Sequence, residues 1–280
     1  MITMDDFYWQ KKLFTVFYLA MQVNYYNQQI EKLNHFKQRV LAAVDNRSFN
    51  QASLHGIVQD VFEKKPVIID YDEKELKQLQ AGGYSEMLDD DSFRLLLSPK
   101  IMKKVSNKTL PEMQEDKSLN VFGKFFGIMT HEVKHGLYDV FCGDKTDTLY
   151  RQCAKVVTED VADKIIDDDM MPLLDKCTDG EYYKPKQISN AIGKIAQKYG
   201  QGENKFFQKV LYLLLLDDIK NEYEAYEEGF KAQKQILGTK GRFIDMSYEE
   251  AIEDNKLMRE IAQEGYLNKF VPLKKLSRYI

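Results

Sequence analysis

The stretch of sequence that decides the fold is SLNVFGKFFGIMTHEVKHGL, from Ser118 to Leu137. Its apolar residues continue from Val121 through Met129 to Leu137, as in a helix with a buried face. We therefore predict a helix over this stretch. Its second half contains the motif His131-Glu132-Val133-Lys134-His135, in which two histidines lie four residues apart.

The spacing of this HExxH motif suits the chemistry of a metal ion. Four residues make slightly more than one helical turn, so His131 and His135 share a face and reach one tetrahedral ion at about 2.0–2.1 Å. Glu132 is rotated by about 100° from His131, so its carboxylate lies beside the ion. This position suits a base that takes a proton from a metal-activated water and passes it to a leaving amine. We therefore expect Zn²⁺ as cofactor, His131 and His135 as ligands, and Glu132 as the catalytic residue.

The motif is informative because the chain has only four histidines, which makes a chance HExxH rare. The alternative is an amphipathic helix that carries two histidines by accident. The other two histidines, His35 and His55, lie in predicted helices without such neighbours, so we expect surface or packing roles for them.

A catalytic zinc takes three protein ligands, so one more ligand is needed. The best candidate segment is Asp217–Tyr226, DDIKNEYEAY, at the end of an apolar helix. Glu222 shares a helical face with Ile219 and other apolar residues, and an inward carboxylate needs a partner or a metal. Glu224 shares its face with charged and polar residues, so we expect it to face solvent. We therefore predict Glu222 as the third ligand and leave Asp218 and Glu224 open as alternatives. Asp218 is also placed where it could orient a histidine.

The motif and this segment together resemble the gluzincin branch of the zincin metallopeptidases. Thermolysin-like members carry an Asp four residues after the second histidine, where this chain has Asp139, and Asn-Glu at the third ligand, where it has Asn221-Glu222. The Ser-Asp pair that follows in that family is replaced here by Ala225-Tyr226.

The chain is also similar to compact bacterial metallopeptidases, including toxin and effector proteases. In these, a Gly-Tyr hairpin precedes the HExxH helix and an E-x-E-A-Y segment follows it. The resemblance covers Gly82 to Phe230. It implies a zincin-like fold in which the strand Phe93–Leu97 forms the lip of the cleft, with a free edge for an extended peptide.

The predicted fold class is α+β, predominantly α-helical and zincin-like, with a small antiparallel β-sheet or hairpin before the HExxH helix. The hairpin is predicted over Gly82–Ser98, around an Asp-rich turn. The other predicted elements are helices over Asp5–Val44, Asn50–Glu63, Thr146–Lys176, Lys186–Tyr199 and Asn204–Gln233, a helix starting at Ser247, and a strand over Pro66–Asp70. We expect an N-terminal helical region 1–64, a zincin-like catalytic core 65–235 with a helical insertion 144–203, and a C-terminal helical region 236–280. One compact domain is the alternative.

Composition limits the possible partners. The 280 residues include 40 Lys and Arg against 44 Asp and Glu, so no strong field attracts nucleic acid. The three cysteines form no metal-binding or disulfide pattern, which favours a reducing compartment. We expect no membrane span. Lys11–Val23 resembles a secretory signal, but Asp5 and Asp6 precede it. The expected location is cytoplasmic, or outside the cell by a leaderless secretion route.

The sequence therefore predicts a zinc metallopeptidase that hydrolyses a protein or peptide substrate. Two alternatives stay open: a non-catalytic zincin-like binding module, and a helical interaction protein in which HExxH is accidental. A peptidase also needs a donor that stabilises the oxyanion. Tyr138, Tyr223 and Tyr226 are close in sequence to the predicted ligands, but the sequence does not choose among them.

Overall fold

The computed structural model describes residues 4–178, 185–238, 242–243 and 246–247, which form a mostly helical chain with a small mixed sheet. The helices are α1 (Met4–Asp45), α2 (Gln51–Phe62), α3 (Glu73–Gln78), α4 (Pro99–Val105), α5 (Leu110–Glu115), α6 (Leu119–Val156), α7 (Glu159–Ile165), α8 (Met171–Thr178), α9 (Pro185–Lys198) and α10 (Lys205–Leu237). The strands are β1 (Val67–Tyr71), β2 (Tyr84–Met87), β3 (Phe93–Leu97), β4 (Arg242–Phe243) and β5 (Met246–Ser247). The prediction of a predominantly helical α+β fold is confirmed at this level.

Helix α6 carries the HExxH motif and extends well beyond the predicted end at Leu137, because its apolar face continues to Val156. At its start, Ser118 is fully buried, and both its amide and its hydroxyl donate to Asp116 Oδ1, at 2.9 and 2.5 Å. Helix α10 starts after Asn204, whose side chain accepts from the amide of Phe207 at 3.0 Å. Polar side chains thus accept hydrogen bonds from free backbone amides at the starts of α6 and α10, the two helices that carry the predicted metal ligands.

The three-stranded sheet has the order β1-β3-β2. The predicted hairpin is confirmed: β2 and β3 are antiparallel, with Ser85 opposite Leu95. Strand β1 adds to the other side of β3 in parallel, with Ile69 opposite Leu95, so the sheet is mixed and the prediction of a purely antiparallel sheet is wrong. Because β3 is the central strand, the prediction of a free edge at Phe93–Leu97 is also wrong. Among the described strands of this sheet, β2 is an edge strand.

Two hydrophobic clusters lie along α6 and α10. The first joins the sheet, α1, α2 and the first half of α6, and it includes Phe36, Phe93, Phe122, Phe126 and Val133. The second joins α8, α9, the last part of α6 and the first half of α10, and it includes Cys153, Leu173, Ile192, Leu211 and Ile219. The division into regions 1–64, 65–235 and 236–280 stays a prediction.

Some expectations concern the C-terminal part of the chain and the membrane. Ser247, where a helix was predicted to start, lies in β5, opposite Arg242. The helix that would follow it lies outside the described residues and stays a prediction. Cys142, Cys153 and Cys177 are buried, and none of them forms a disulfide within the described residues. Within the described part of the chain, no helix combines the length and the apolar composition that crossing a bilayer requires.

Candidate metal centre

Helices α6 and α10 pack along each other and bring three side chains together. The Nε2 atoms of His131 and His135 lie 3.0 Å apart. Glu222 on α10 places one carboxylate oxygen 3.9 Å from Nε2 of His131 and the other 3.6 Å from Nε2 of His135. Each of the three residues offers one donor atom, and these atoms all lie within 4.8 Å of one another. The three residues chosen from the sequence therefore form one cluster, which includes neither Asp218 nor Glu224.

The burial of the α10 carboxylates differs from the sequence interpretation. The side chain of Glu222 is 29% exposed, whereas that of Glu224 is only 6% exposed. The prediction that Glu224 faces solvent is therefore wrong. The physical reason is that other helices supply partners: Lys134 Nζ donates to Glu224 Oε2 at 2.8 Å, and Tyr138 Oη donates to Asp217 Oδ1 at 2.7 Å. A charged helical face is buried when each charge meets a partner.

The electrostatics of the cluster favour one positive charge among its three donors. Burial and the neighbouring charge of His135 lower the pKa of His131 to about 3. Burial also acts to lower the pKa of His135, but the charge and hydrogen bond of Glu222, together with the charges of Glu132 and Asp139, raise this pKa to about 9. For Glu222, burial acts to raise the pKa, but the charge and hydrogen bond of His135 together with the charge of His131 lower it to about 2. Without a metal, a single proton therefore lies on His135 beside an ionised Glu222.

The donor set fits a divalent ion. Donors at about 2.0–2.1 Å from a tetrahedral zinc are separated from one another by about 3.3–3.4 Å. The donor atoms here are separated by similar distances: 3.0 Å between the two histidines, 3.6 Å between His135 and Glu222, and 3.9 Å between His131 and Glu222. These distances bracket the value for zinc. Two imidazoles with one carboxylate are a ligand set of catalytic zinc sites, which keep a fourth position for water. A small ion at the centre of the cluster would also replace the proton that His135 holds.

Glu132 lies next to the cluster and is held by strand β2. Its side chain is buried, and Ser85 Oγ donates to its Oε2 at 2.9 Å and lies 3.1 Å from its backbone oxygen. Burial raises the pKa of Glu132 to about 7. Just before β2, Gly83 has no side chain for a packing reason: a Cβ there would lie 2.5 Å from Ile128 Cγ2 and 3.3 Å from Glu132 Cγ. The bare backbone therefore lets β2 approach the motif helix closely enough for Ser85 to reach Glu132.

The two imidazoles have different surroundings. Nδ1 of His131 is buried, and no partner among the described residues meets the geometry of a hydrogen bond. The backbone of Ala225 is nevertheless close enough to raise the pKa of this ring. Asp139 lies close enough to His135 for each charge to affect the other, and burial raises the pKa of Asp139 to about 6.

Comparisons with protein-family models, with curated proteins and with solved structures find no match to this chain. The interpretation of the cluster therefore depends on its own geometry and chemistry.

The tyrosines near the motif divide into different roles. Tyr138 directs its hydroxyl to Asp217, and Tyr223 packs in the second hydrophobic cluster. Tyr226 packs edge-to-face on His131, with ring centroids 4.6 Å apart. Tyr84, on β2, donates its hydroxyl to Glu86 Oε2 at 3.4 Å. Burial and Glu86 raise the pKa of its phenol most, and Glu132 is close enough to raise it slightly further. Tyr226 and Tyr84 therefore border the site.

The sequence interpretation missed two contacts. One is the bond from Ser85 to Glu132, for which the Gly-Tyr hairpin was the only signal. The other is the buried pair of Lys134 with Glu224, which lie 90 positions apart. A lysine at a variable position of HExxH gives no sign that it is buried.

Proposed function

We propose that this protein is a zinc-dependent metallopeptidase in which His131, His135 and Glu222 bind the metal and Glu132 is the catalytic base. The observation that carries the proposal is the cluster itself. Donor atoms from two helices lie within 4.8 Å of one another, beside the buried carboxylate of Glu132. Chance placement of two histidines on a helix does not require a glutamate from a distant helix to meet them.

The residues divide the work of peptide hydrolysis. A zinc ion in the cluster would polarise the scissile carbonyl and lower the pKa of a coordinated water to about 7. Glu132 takes the proton from the attacking water and passes it to the leaving amine. Ser85 holds Oε2 of Glu132 and so fixes the direction of the carboxylate during both transfers. Tyr226 and Tyr84 are the candidates for the donor that stabilises the oxyanion.

The proposed substrate is a protein or peptide in an extended conformation. Strand β2 is an edge of its sheet, and it contacts the motif helix through Ser85. A peptide that pairs with this edge through its backbone would pass beside Glu132. The free edge that the sequence interpretation assigned to β3 is thus reassigned to β2.

The finer part of the fold assignment, a zincin-like gluzincin architecture, also belongs to the proposal. It is supported by the chain order of a small sheet, the HExxH helix and a later helix that carries Glu222. It is further supported by the contact of the edge strand with the motif helix.

The test is hydrolysis of a degenerate peptide library by zinc-loaded protein, followed by mass spectrometry. Glu132→Gln should keep its zinc and lose at least about 100-fold in rate, because it cannot accept a proton. The control is Glu159→Gln, an exposed carboxylate on α7, which should cleave like the wild type. Cleavage by Glu132→Gln at the wild-type rate would exclude Glu132 as the base. Zinc binding by a wild-type protein that cleaves nothing would identify a non-catalytic zinc-binding module.

A further inference from the structure

A buried ion pair joins α6 to α10 next to the metal cluster. The Lys134 side chain is fully buried, and its Nζ donates to Glu224 Oε2 at 2.8 Å and to Gln29 Oε1 on α1 at 2.8 Å. Glu224 Oε1 also lies 3.7 Å from Lys220 Nζ on its own helix. Burying an ion pair costs desolvation energy, and such pairs are weak evidence for stability. Stability alone therefore does not explain this pair.

The helical positions of the two glutamates suggest another role for the pair. Glu222 and Glu224 are two residues apart, so they are separated by about 200° around the axis of α10. Around the helix axis, Ala225 lies within the smaller arc, of about 160°, between the two glutamates. It is fully buried, so this arc of α10 faces the interior. On α6, Lys134 is likewise displaced by about 100° from His135. The pair Lys134–Glu224 thus lies on one side of the contact between α6 and α10, and the contacts of Glu222 with the histidines lie on the other.

This arrangement controls how α10 is rotated about its own axis. A carboxylate lies about 6 Å from the helix axis, so a rotation of about 10° moves it by about 1 Å. Metal–ligand distances tolerate deviations of only about 0.2 Å. The ion pair of Lys134 with Glu224, on the opposite side of the interface, opposes this rotation. Turning α10 would lengthen its hydrogen bond.

We infer that Lys134 and Glu224 are positioning residues, which hold Glu222 at coordinating distance from His131 and His135. This inference rests on the proposed metal site. Gln29 extends the same junction to α1, so that three helices meet at the Lys134 ammonium group.

The test compares the zinc affinity of two matched variants, by competition with a chromophoric chelator. Glu224→Gln should weaken zinc binding by about tenfold, the lower end of what partners of metal ligands contribute. Glu228→Gln is the control, because Glu228 is also buried on α10, but pairs with Lys37 of α1 and with Lys231. Its zinc affinity should stay within about twofold of the wild type, as expected for an independent site. Circular dichroism would verify that each variant is folded at the temperature used.

A third variant distinguishes an effect on the position of Glu222 from an effect on stability. It can also be used if Glu224→Gln does not fold. It carries Gln29→Leu, Lys134→Met and Glu224→Leu, so that the three buried polar side chains become apolar while the partly exposed Lys220 is kept. Such replacements often leave stability unchanged or higher. We expect a stable protein whose zinc affinity is still about tenfold weaker, because apolar contacts do not fix the rotation of α10.

Three outcomes contradict the inference. Wild-type zinc affinity in the apolar protein, or in Glu224→Gln, would show that packing alone positions Glu222. Equal losses in Glu224→Gln and Glu228→Gln would show a general effect of buried charge on α10. A wild-type protein that binds no zinc would remove the proposed function itself, and with it this inference.

Discussion

Gly136 follows the motif directly, and its replacement by alanine tests how α6 packs against the sheet. A Cβ at this position would lie 2.3 Å from Phe93 Cε2 and 2.8 Å from Phe62 Cζ. The two rings are stacked, with centroids 4.1 Å apart, and both are buried. Neither ring is a flexible chain end, so the helix or the ring pair must shift to accept the extra methyl group.

The magnitude follows from two opposing effects. Alanine is a better helix former than glycine by about 1 kcal/mol. Overpacking a well-filled core costs about 1–3 kcal/mol, and contacts this short belong at the upper end. We therefore expect Gly136→Ala to lower the free energy of unfolding by about 2 kcal/mol. Gly143 lies on the same helix, and a Cβ there meets nothing within 4 Å. Gly143→Ala should therefore raise the free energy of unfolding by up to about 1 kcal/mol.

The assay is urea unfolding of both variants and the wild type, followed by circular dichroism, with stability read from the midpoints and slopes. The expected midpoint order is Gly143→Ala above wild type above Gly136→Ala. If Gly136→Ala were as stable as Gly143→Ala, the packing of the motif helix on Phe62 and Phe93 described above would be wrong.

Three further predictions concern the base, the start of the motif helix and the sheet. Ser85→Ala should lower kcat for peptide hydrolysis by about tenfold with little change in KM, because Glu132 loses its restraint; an unchanged kcat would exclude that role. The hydrogen bond from Lys108 lowers the pKa of Asp116 to about 2. The ionised Asp116 therefore stabilises the folded protein above about pH 4, and this contribution is lost as the pH falls toward 2. Asp116→Asn should therefore be less stable than wild type at neutral pH, and the difference in unfolding midpoint should close on acidification; a difference independent of pH would contradict this. Arg94→Met should lower the free energy of unfolding by about 1–3 kcal/mol in urea titrations, because Arg94 pairs with carboxylates on β1, β2 and α3; a loss below about 0.5 kcal/mol would contradict a structural role.

Local patterns were sufficient to predict most of the helices and the hairpin. The HExxH spacing and the apolar face around Glu222 also selected three residues that the structure brings together. These features depend on helical periodicity and on turn residues, which are encoded within a few positions.

Contacts between distant segments were not predictable in the same way. The parallel pairing of β1 with β3 depends on a register that no local pattern encodes. Glu224 was assigned to the surface because its neighbours on the helix are charged, whereas its partner Lys134 comes from another helix. Ser85 was missed for the same reason, since its role depends on how closely β2 approaches α6.

We propose that His131, His135 and Glu222 together bind one zinc ion. The most direct test is anomalous diffraction at the zinc edge from crystals of zinc-loaded protein. We expect one strong peak at about 2.0–2.2 Å from Nε2 of both histidines and from a carboxylate oxygen of Glu222. A zinc-loaded crystal with no peak between these residues, or with its zinc bound elsewhere, would contradict it.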